Sequence, residues 1–201
     1  MTFNPDIHHR RSIRLREYDY SSVGAYFVTV CANGRECLFG ECDDGDMRVN
    51  DAGRMVVEIW NSLLERFPNV ALDEYMIMPN HFHGIIVLED ANERRGEPCV
   101  RPVLDDPIEN GCRAGDHNDR PCGTHVGSVS RIVQAFKSLT TVKYVRGVND
   151  RNWSQFSGRL WQRNFYERII RDEKEMSSIR EYIRFNPSKW TLDKENPHVV
   201  P

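Results

Sequence analysis

Tyr75-Met76-Ile77-Met78-Pro79-Asn80-His81-Phe82-His83-Gly84-Ile85-Ile86-Val87-Leu88 sets two short apolar runs on either side of a Pro-Asn turn. Such runs, bounded by turn formers, predict an antiparallel pair of strands. Strand side chains alternate between faces, so His81 and His83 share one face while Phe82 points to the other. Two imidazoles on one rigid face are candidate metal ligands. A His-x-His pair is also ordinary surface or pocket decoration, so its meaning rests on what the rest of the chain brings to that face.

Working outward, Gly24–Cys31 is rich in β-branched and aromatic residues and predicts a buried strand. Cys37-Leu38-Phe39-Gly40 and Met47-Arg48-Val49 predict a small hairpin around Asp43-Asp44-Gly45-Asp46, an acidic turn without the spacing of an EF-hand loop. From Asp51 to Phe67, Ala52, Met55, Val56, Ile59, Trp60 and Leu63 follow a helical period, with Asn50 or Asp51 as N-cap and Pro68 as the stop. A second helix face follows at Val129, Ile132, Val133, Phe136, Leu139 and Thr140, with Arg131, Lys137 and Lys143 off it. After a Gly147–Gly158 loop, Leu160–Ile170 predicts a strand, and Asp172 with Glu175 opens a final helix that Pro187 ends. Without the hairpin and last helix the order is βαββαβ, an α+β, ferredoxin-like core with an antiparallel sheet.

The length suits one domain, residues 1–201, carrying a polar insertion. No apolar run approaches membrane-spanning length and the N-terminus is too polar for a secretory signal, so the expected location is cytoplasmic, with no membrane partner. Six cysteines without a Cys-x-x-Cys fit reduced thiols. Residues 1–20 form a basic arm in which Arg10, Arg11 and Arg14 are candidate phosphate contacts. Residues 89–127 lack any apolar period and predict a mobile insertion; Cys112, His117, Cys122 and His125 within it match no standard zinc spacing. The formal net charge of −3 hides a division, with 13 Lys or Arg against 6 Asp or Glu over residues 128–190, and 7 against 14 over residues 51–127. The basic section is a candidate surface for nucleic-acid phosphates, with Arg131, Lys137, Arg163 and Arg184 as contacts; two solvated faces of opposite sign explain the charges equally well.

In the last helix Met176, Ile179 and Ile183 form a packing stripe. At about 100° per residue, Tyr182 lies roughly 60° from Ile179 and Asn186 roughly 20° to the same side, so the two are neighbours on one edge of the buried face. A phenol with a pKa of about 10 is a weak nucleophile at neutral pH unless its electrophile is positioned and polarised. A divalent metal held by His81, His83 and one amide or carboxylate oxygen would polarise a phosphodiester, and Asn186 is well placed to supply that oxygen. Attack by Tyr182 on phosphorus would leave a 5′-phosphotyrosine and a free 3′-hydroxyl, and rejoining would need no ATP.

Three segments carry a more specific likeness: Met78-Pro79-Asn80-His81-Phe82-His83-Gly84, Leu160-Trp161-Gln162-Arg163-Asn164-Phe165-Tyr166-Glu167 and Glu181-Tyr182-Ile183-Arg184-Phe185-Asn186-Pro187. In this order they resemble the REP-associated tyrosine transposases, relatives of the small bacterial insertion-sequence transposases in the HUH single-strand endonuclease class. The resemblance runs from about Tyr20 to Trp190, outside residues 89–127. It implies His81 and His83 as metal ligands, Tyr182 as nucleophile and Asn186 as the third ligand. It also implies magnesium or manganese as cofactor, and single-stranded DNA with hairpin or palindromic ends as partner. Tyr166 is a competing nucleophile. A homodimer, and an active site formed across it, stay open. Other readings are a hairpin-DNA binder with little or no cleavage, a metallohydrolase using His-x-His, and an RNA-binding module on the same fold.

Overall fold

Residues 20–90 and 127–197 are described by the computed structural model of the chain. Along them run β1 (Gly24–Cys31), β2 (Gly40–Asp43), β3 (Asp46–Val49), α1 (Asp51–Arg66) and β4 (Val70–Ile77). β5 (His81–Leu88), α2 (Val129–Arg151), β6 (Tyr166–Ile170) and α3 (Glu173–Arg184) follow. The main sheet has the order β4-β5-β1-β6, with every neighbouring pair antiparallel. β1 and β4 are therefore parallel with β5 between them, and β5 and β6 are parallel with β1 between them. These are two interleaved split βαβ units, the ferredoxin-like arrangement expected from the element order. The basic arm before Tyr20, with Arg10, Arg11 and Arg14, and most of the 89–127 insertion, with its Cys and His residues, lie outside the described residues.

Local chemistry accounts for most boundaries. Asn50 caps α1 by accepting a hydrogen bond from the Gly53 N–H at 2.9 Å. Asp172 does the same for α3 from the Glu175 N–H at 2.7 Å. Asp44 and Gly45 both have positive φ, as a two-residue hairpin turn requires. The hairpin's first strand is Gly40–Asp43 rather than residues 37–40, because the Asp44-Gly45 turn pairs Asp43 with Asp46 and Gly40 with Val49. α2 runs through Gly147 to Arg151, past the expected loop. The Trp153 ring folds back onto Gly147, within 2.2 Å of where a Cβ would stand, so the glycine is a packing notch rather than a stop. β6 starts only at Tyr166. Leu160–Phe165, expected as strand, touches β1's end through a single bridge, Ala32 to Trp161.

The two faces of the sheet are covered differently. α1 and α2 cover one face, burying Tyr26, Val28, Phe82 and Ile86 among Trp60, Leu63, Ile132, Val133 and Phe136. The Trp60 and Phe136 rings stand 4.6 and 5.1 Å from Phe82. α3 crosses the other face over a smaller cluster of Phe27, Ile85, Ile170, Ile179 and Ile183. Adjacent carboxylates of β4 hold it there. Arg180 binds Asp73 through Nε at 2.8 Å and Nη2 at 2.7 Å, and Arg184 Nε binds Glu74 at 2.8 Å. Neighbours on a regular strand face opposite ways; the irregularity between Leu72 and Tyr75 lets both reach α3. Among the described residues no helix is long and apolar enough to cross a membrane.

Gly84 lies under Trp60, with ring carbons 2.6 and 2.9 Å from where a Cβ would project. Both lie in a packed layer with no room to yield, so Gly84→Ala is expected to lower unfolding stability by about 1–3 kcal/mol. Urea denaturation should show this as a lower midpoint with an unchanged slope.

Candidate active site

His81 and His83 lie on the α3 side of β5, both buried. Their outward position follows from strand alternation, since Phe82 and Gly84 take the other face. Each ring is oriented through Nδ1. His81 Nδ1 is 2.9 Å from Asn80 Oδ1, and His83 Nδ1 is 2.8 Å from Thr29 Oγ1, its register partner on β1. Asn80 donates from Nδ2 to the carbonyls of Arg35 at 3.0 Å and Glu195 at 2.7 Å, which fixes its Oδ1 toward His81. An amide oxygen only accepts, so neutral His81 carries its proton on Nδ1 and presents a bare Nε2. That atom stands 3.0 Å from His83 Nε2. Two ring nitrogens thus converge on one point, each steered from behind, as in metal-binding histidines.

Asn186 comes from the far side. α3 ends at Arg184, so Asn186 lies beyond the helix proper, yet its φ of −60° and ψ of −42° continue the helical path. The four-residue relation to Tyr182 therefore persists. Its amide lies against His81 and Tyr182, raising the pKa of the first and lowering that of the second as secondary influences. Asn186 is 3% exposed, and its Oδ1 accepts no hydrogen bond. Such an orphaned oxygen is costly unless something electropositive meets it. Two converging imidazole nitrogens and an unpartnered amide oxygen fit a divalent cation. Among the described residues, no three His, Cys, Asp or Glu side chains are already gathered as a metal site, so the Asn186 oxygen counts among the candidate donors.

Tyr182 completes the arrangement. Its ring meets His83 edge-on at 5.4 Å and Phe27 at 6.0 Å, while 43% of the residue stays open to a cleft of about 670 Å³. Burial, then Asp193, raises its pKa above the ordinary value, so the resting side chain is a phenol. Tyr166 lines the same cleft and touches Phe27 at 6.2 Å, but no ring contact joins it to either histidine. Cys31 lines it too, and burial followed by Glu195 pushes its thiol up to about 12, which makes it inert.

The candidate DNA contacts scatter. Arg131 and Arg163 are exposed. Lys137 is half-buried and donates to the backbone carbonyls of Gln162 and Arg163, tying α2 to the segment before β6. Arg184 is spent on Glu74. Reading the sequence missed Asn80, seen only as a turn residue, and Thr29, a strand residue without a signal of its own. It also missed the segment after Trp190, where Asp193, Lys194 and Glu195 border the cleft.

Burial dominates the histidine electrostatics. It lowers the pKa of His81, partly offset by Asp193 and Asn186, and lowers that of His83 further with help from His81 and Lys194. A depressed folded-state pKa means that the unfolded chain binds protons first as pH falls. This contribution to stability is intact above about pH 6.5 and is lost as pH falls toward the depressed folded values. The metal-free protein should therefore show a lower urea midpoint at pH 5 than at pH 7. His81→Ala with His83→Ala should shrink that difference; an undiminished one would place its origin elsewhere.

No family model matches the chain. An uncharacterised protein of Haemophilus influenzae is 40% identical over 195 residues, covering 96% of each chain. Among solved structures, a REP-associated tyrosine transposase bound to a REP hairpin is similar at a TM-score of 0.54 and 18% identity, over 92% of this chain and 77% of its own. This chain belongs to the family of the Haemophilus influenzae protein, and it has the fold of that tyrosine transposase.

Proposed function

We propose that this protein is a transposase-type endonuclease and strand transferase that nicks and rejoins single-stranded or hairpin DNA through Tyr182. The observation that carries the reading is two imidazole nitrogens converging to 3.0 Å in an open cleft that a half-exposed tyrosine also lines, with an unpartnered buried amide oxygen from the residue lying against His81 and Tyr182. The likeness in fold to a transposase bound to a REP hairpin supports hairpin DNA as the partner. His81, His83 and Asn186 would hold magnesium or manganese. When bound, that ion supplies Lewis-acid polarisation of a phosphodiester oxygen.

The chain's own residues do the rest. Phe27, stacked on His83 at 5.4 Å and edge-on to Tyr182, keeps the phenol beside the ligand pair. Asn80 and Thr29 hold the two rings so that their Nε2 atoms converge to 3.0 Å. Tyr182 Oη forms a bond to phosphorus as the bond from phosphorus to the 3′-oxygen breaks. The phenol loses its proton and the departing 3′-oxygen gains one, leaving a 5′-phosphotyrosine and a free 3′-hydroxyl. The reverse attack by a 3′-hydroxyl restores the tyrosine and joins strands. The phenol's raised pKa suits this order of events, because no standing phenolate is present before the DNA is positioned. Exposed Arg131 and Arg163 remain available for phosphates.

With manganese and a labelled single-stranded hairpin oligonucleotide, the protein should form an adduct that survives a denaturing gel. Tyr182→Phe should abolish it and Tyr166→Phe should retain it; the opposite result would move the nucleophile to Tyr166. His81→Ala with His83→Ala should lose the adduct but keep hairpin binding. Wild-type protein that binds the hairpin without ever forming an adduct would be a binder, not an enzyme.

A further inference from the structure

The donors described so far are all neutral, although the site would hold a dication beside a phosphodiester. We propose that Asp193 is the anionic member of the divalent-cation site, an inference that rests on the reading of His81, His83 and Asn186 as ligands. Asp193 follows the 3₁₀ turn Pro187–Leu192, and its side chain is 10% exposed. One carboxylate oxygen, Oδ1, accepts the Glu195 N–H at 2.7 Å and is held in place by it. The other, Oδ2, stands 3.9 Å from His81 Nε2. That is too long for a hydrogen bond, and His81 has no proton on Nε2 to offer. It is within the span of donors around one small cation, roughly 3.0 Å for adjacent and 4.2 Å for opposite positions with bonds of 2.0–2.1 Å.

The segment carrying Asp193 is anchored to the histidines. Asn80, which orients His81, also binds the Glu195 carbonyl, and Arg35 binds the Lys194 carbonyl at 3.1 Å and the Glu195 carboxylate at 3.2 Å. Asn196 donates to the Trp190 carbonyl at 2.9 Å and closes the turn from below. Glu195 is neutralised by Arg35, whereas the carboxylate of Asp193 has no arginine or lysine among its ion pairs with the described residues. A second feature points to a cation beside the same imidazole: the buried Oδ1 of Asn186, whose side chain lies against His81, accepts no hydrogen bond. Hard oxygen donors with one carboxylate suit magnesium or manganese better than two imidazoles and an amide alone.

Manganese titration followed by electron paramagnetic resonance, which reads free ion and needs no DNA, tests this on the full chain. Asp193→Asn keeps an oxygen for the Glu195 N–H and removes only the charge, so the turn should survive. Its manganese Kd should rise at least fivefold over wild type, while Glu195→Gln should stay within twofold. A smaller rise in Asp193→Asn, or an equal rise in both variants, overturns the role of Asp193 even if His81→Ala abolishes binding and so upholds the histidine site. Wild-type protein that binds no manganese overturns both. If Asp193→Asn melts lower than wild type in chelator, Asp193→Ser is read against the same fivefold mark.

Discussion

The two-residue alternation of β5 is the constraint on which everything else rests. Phe82 and Gly84 must enter the layer of α1 and α2, where Trp60 fills the space that a Cβ on residue 84 would need. His81 and His83 are thereby forced onto the opposite face. A slip of one residue would drive both imidazoles under Trp60 and expose Phe82, so the packed face sets the register of the polar one. Pairing with β1 then brings Thr29 opposite His83, at the distance where its hydroxyl meets Nδ1. The large core thus positions two imidazoles on the face opposite to it.

Electrostatically the cleft keeps His81, His83 and Tyr182 neutral until something charged arrives. Burial disfavours protonated imidazole at both histidines and disfavours phenolate at Tyr182. Asn186 adds an amide whose oxygen finds no proton. Polar atoms in such a pocket are poorly solvated and poorly paired, which is the usual mark of a place built for a ligand rather than for stability.

How much of this could be read from residues alone varied with the range of the interaction. The alternation of His81-Phe82-His83, the cap at Asn50 and the capping signal at Asp172 are local, and each appears in the structure as expected. So does the split βαβ order, since it follows from the sequence of elements. Misplaced boundaries came from packing that no periodicity encodes: Trp153 folds onto Gly147, inside an α2 that runs on to Arg151, and Leu160–Phe165 leaves the regular sheet. At the site, Tyr182 and Asn186 were legible because helical spacing links them. Asn80 was not, because its role depends on carbonyls of Arg35 and Glu195 supplied by remote turns. Asp193 lies beyond the last segment with a pattern, and only the path of the chain after Trp190 brings it back.

The unequal cover of the sheet has a consequence for the medium the protein works in. α1 and α2 are held by a broad apolar layer, which excluded salts strengthen. α3 rests on a smaller apolar patch and on the pairs of Arg180 and Arg184, whose side chains are 31% and 61% exposed and so open to screening. A rising concentration of an excluded salt such as sulfate therefore pulls the two layers in opposite directions. The layer that loosens is the one carrying the tyrosine, while the histidines stay with the sheet.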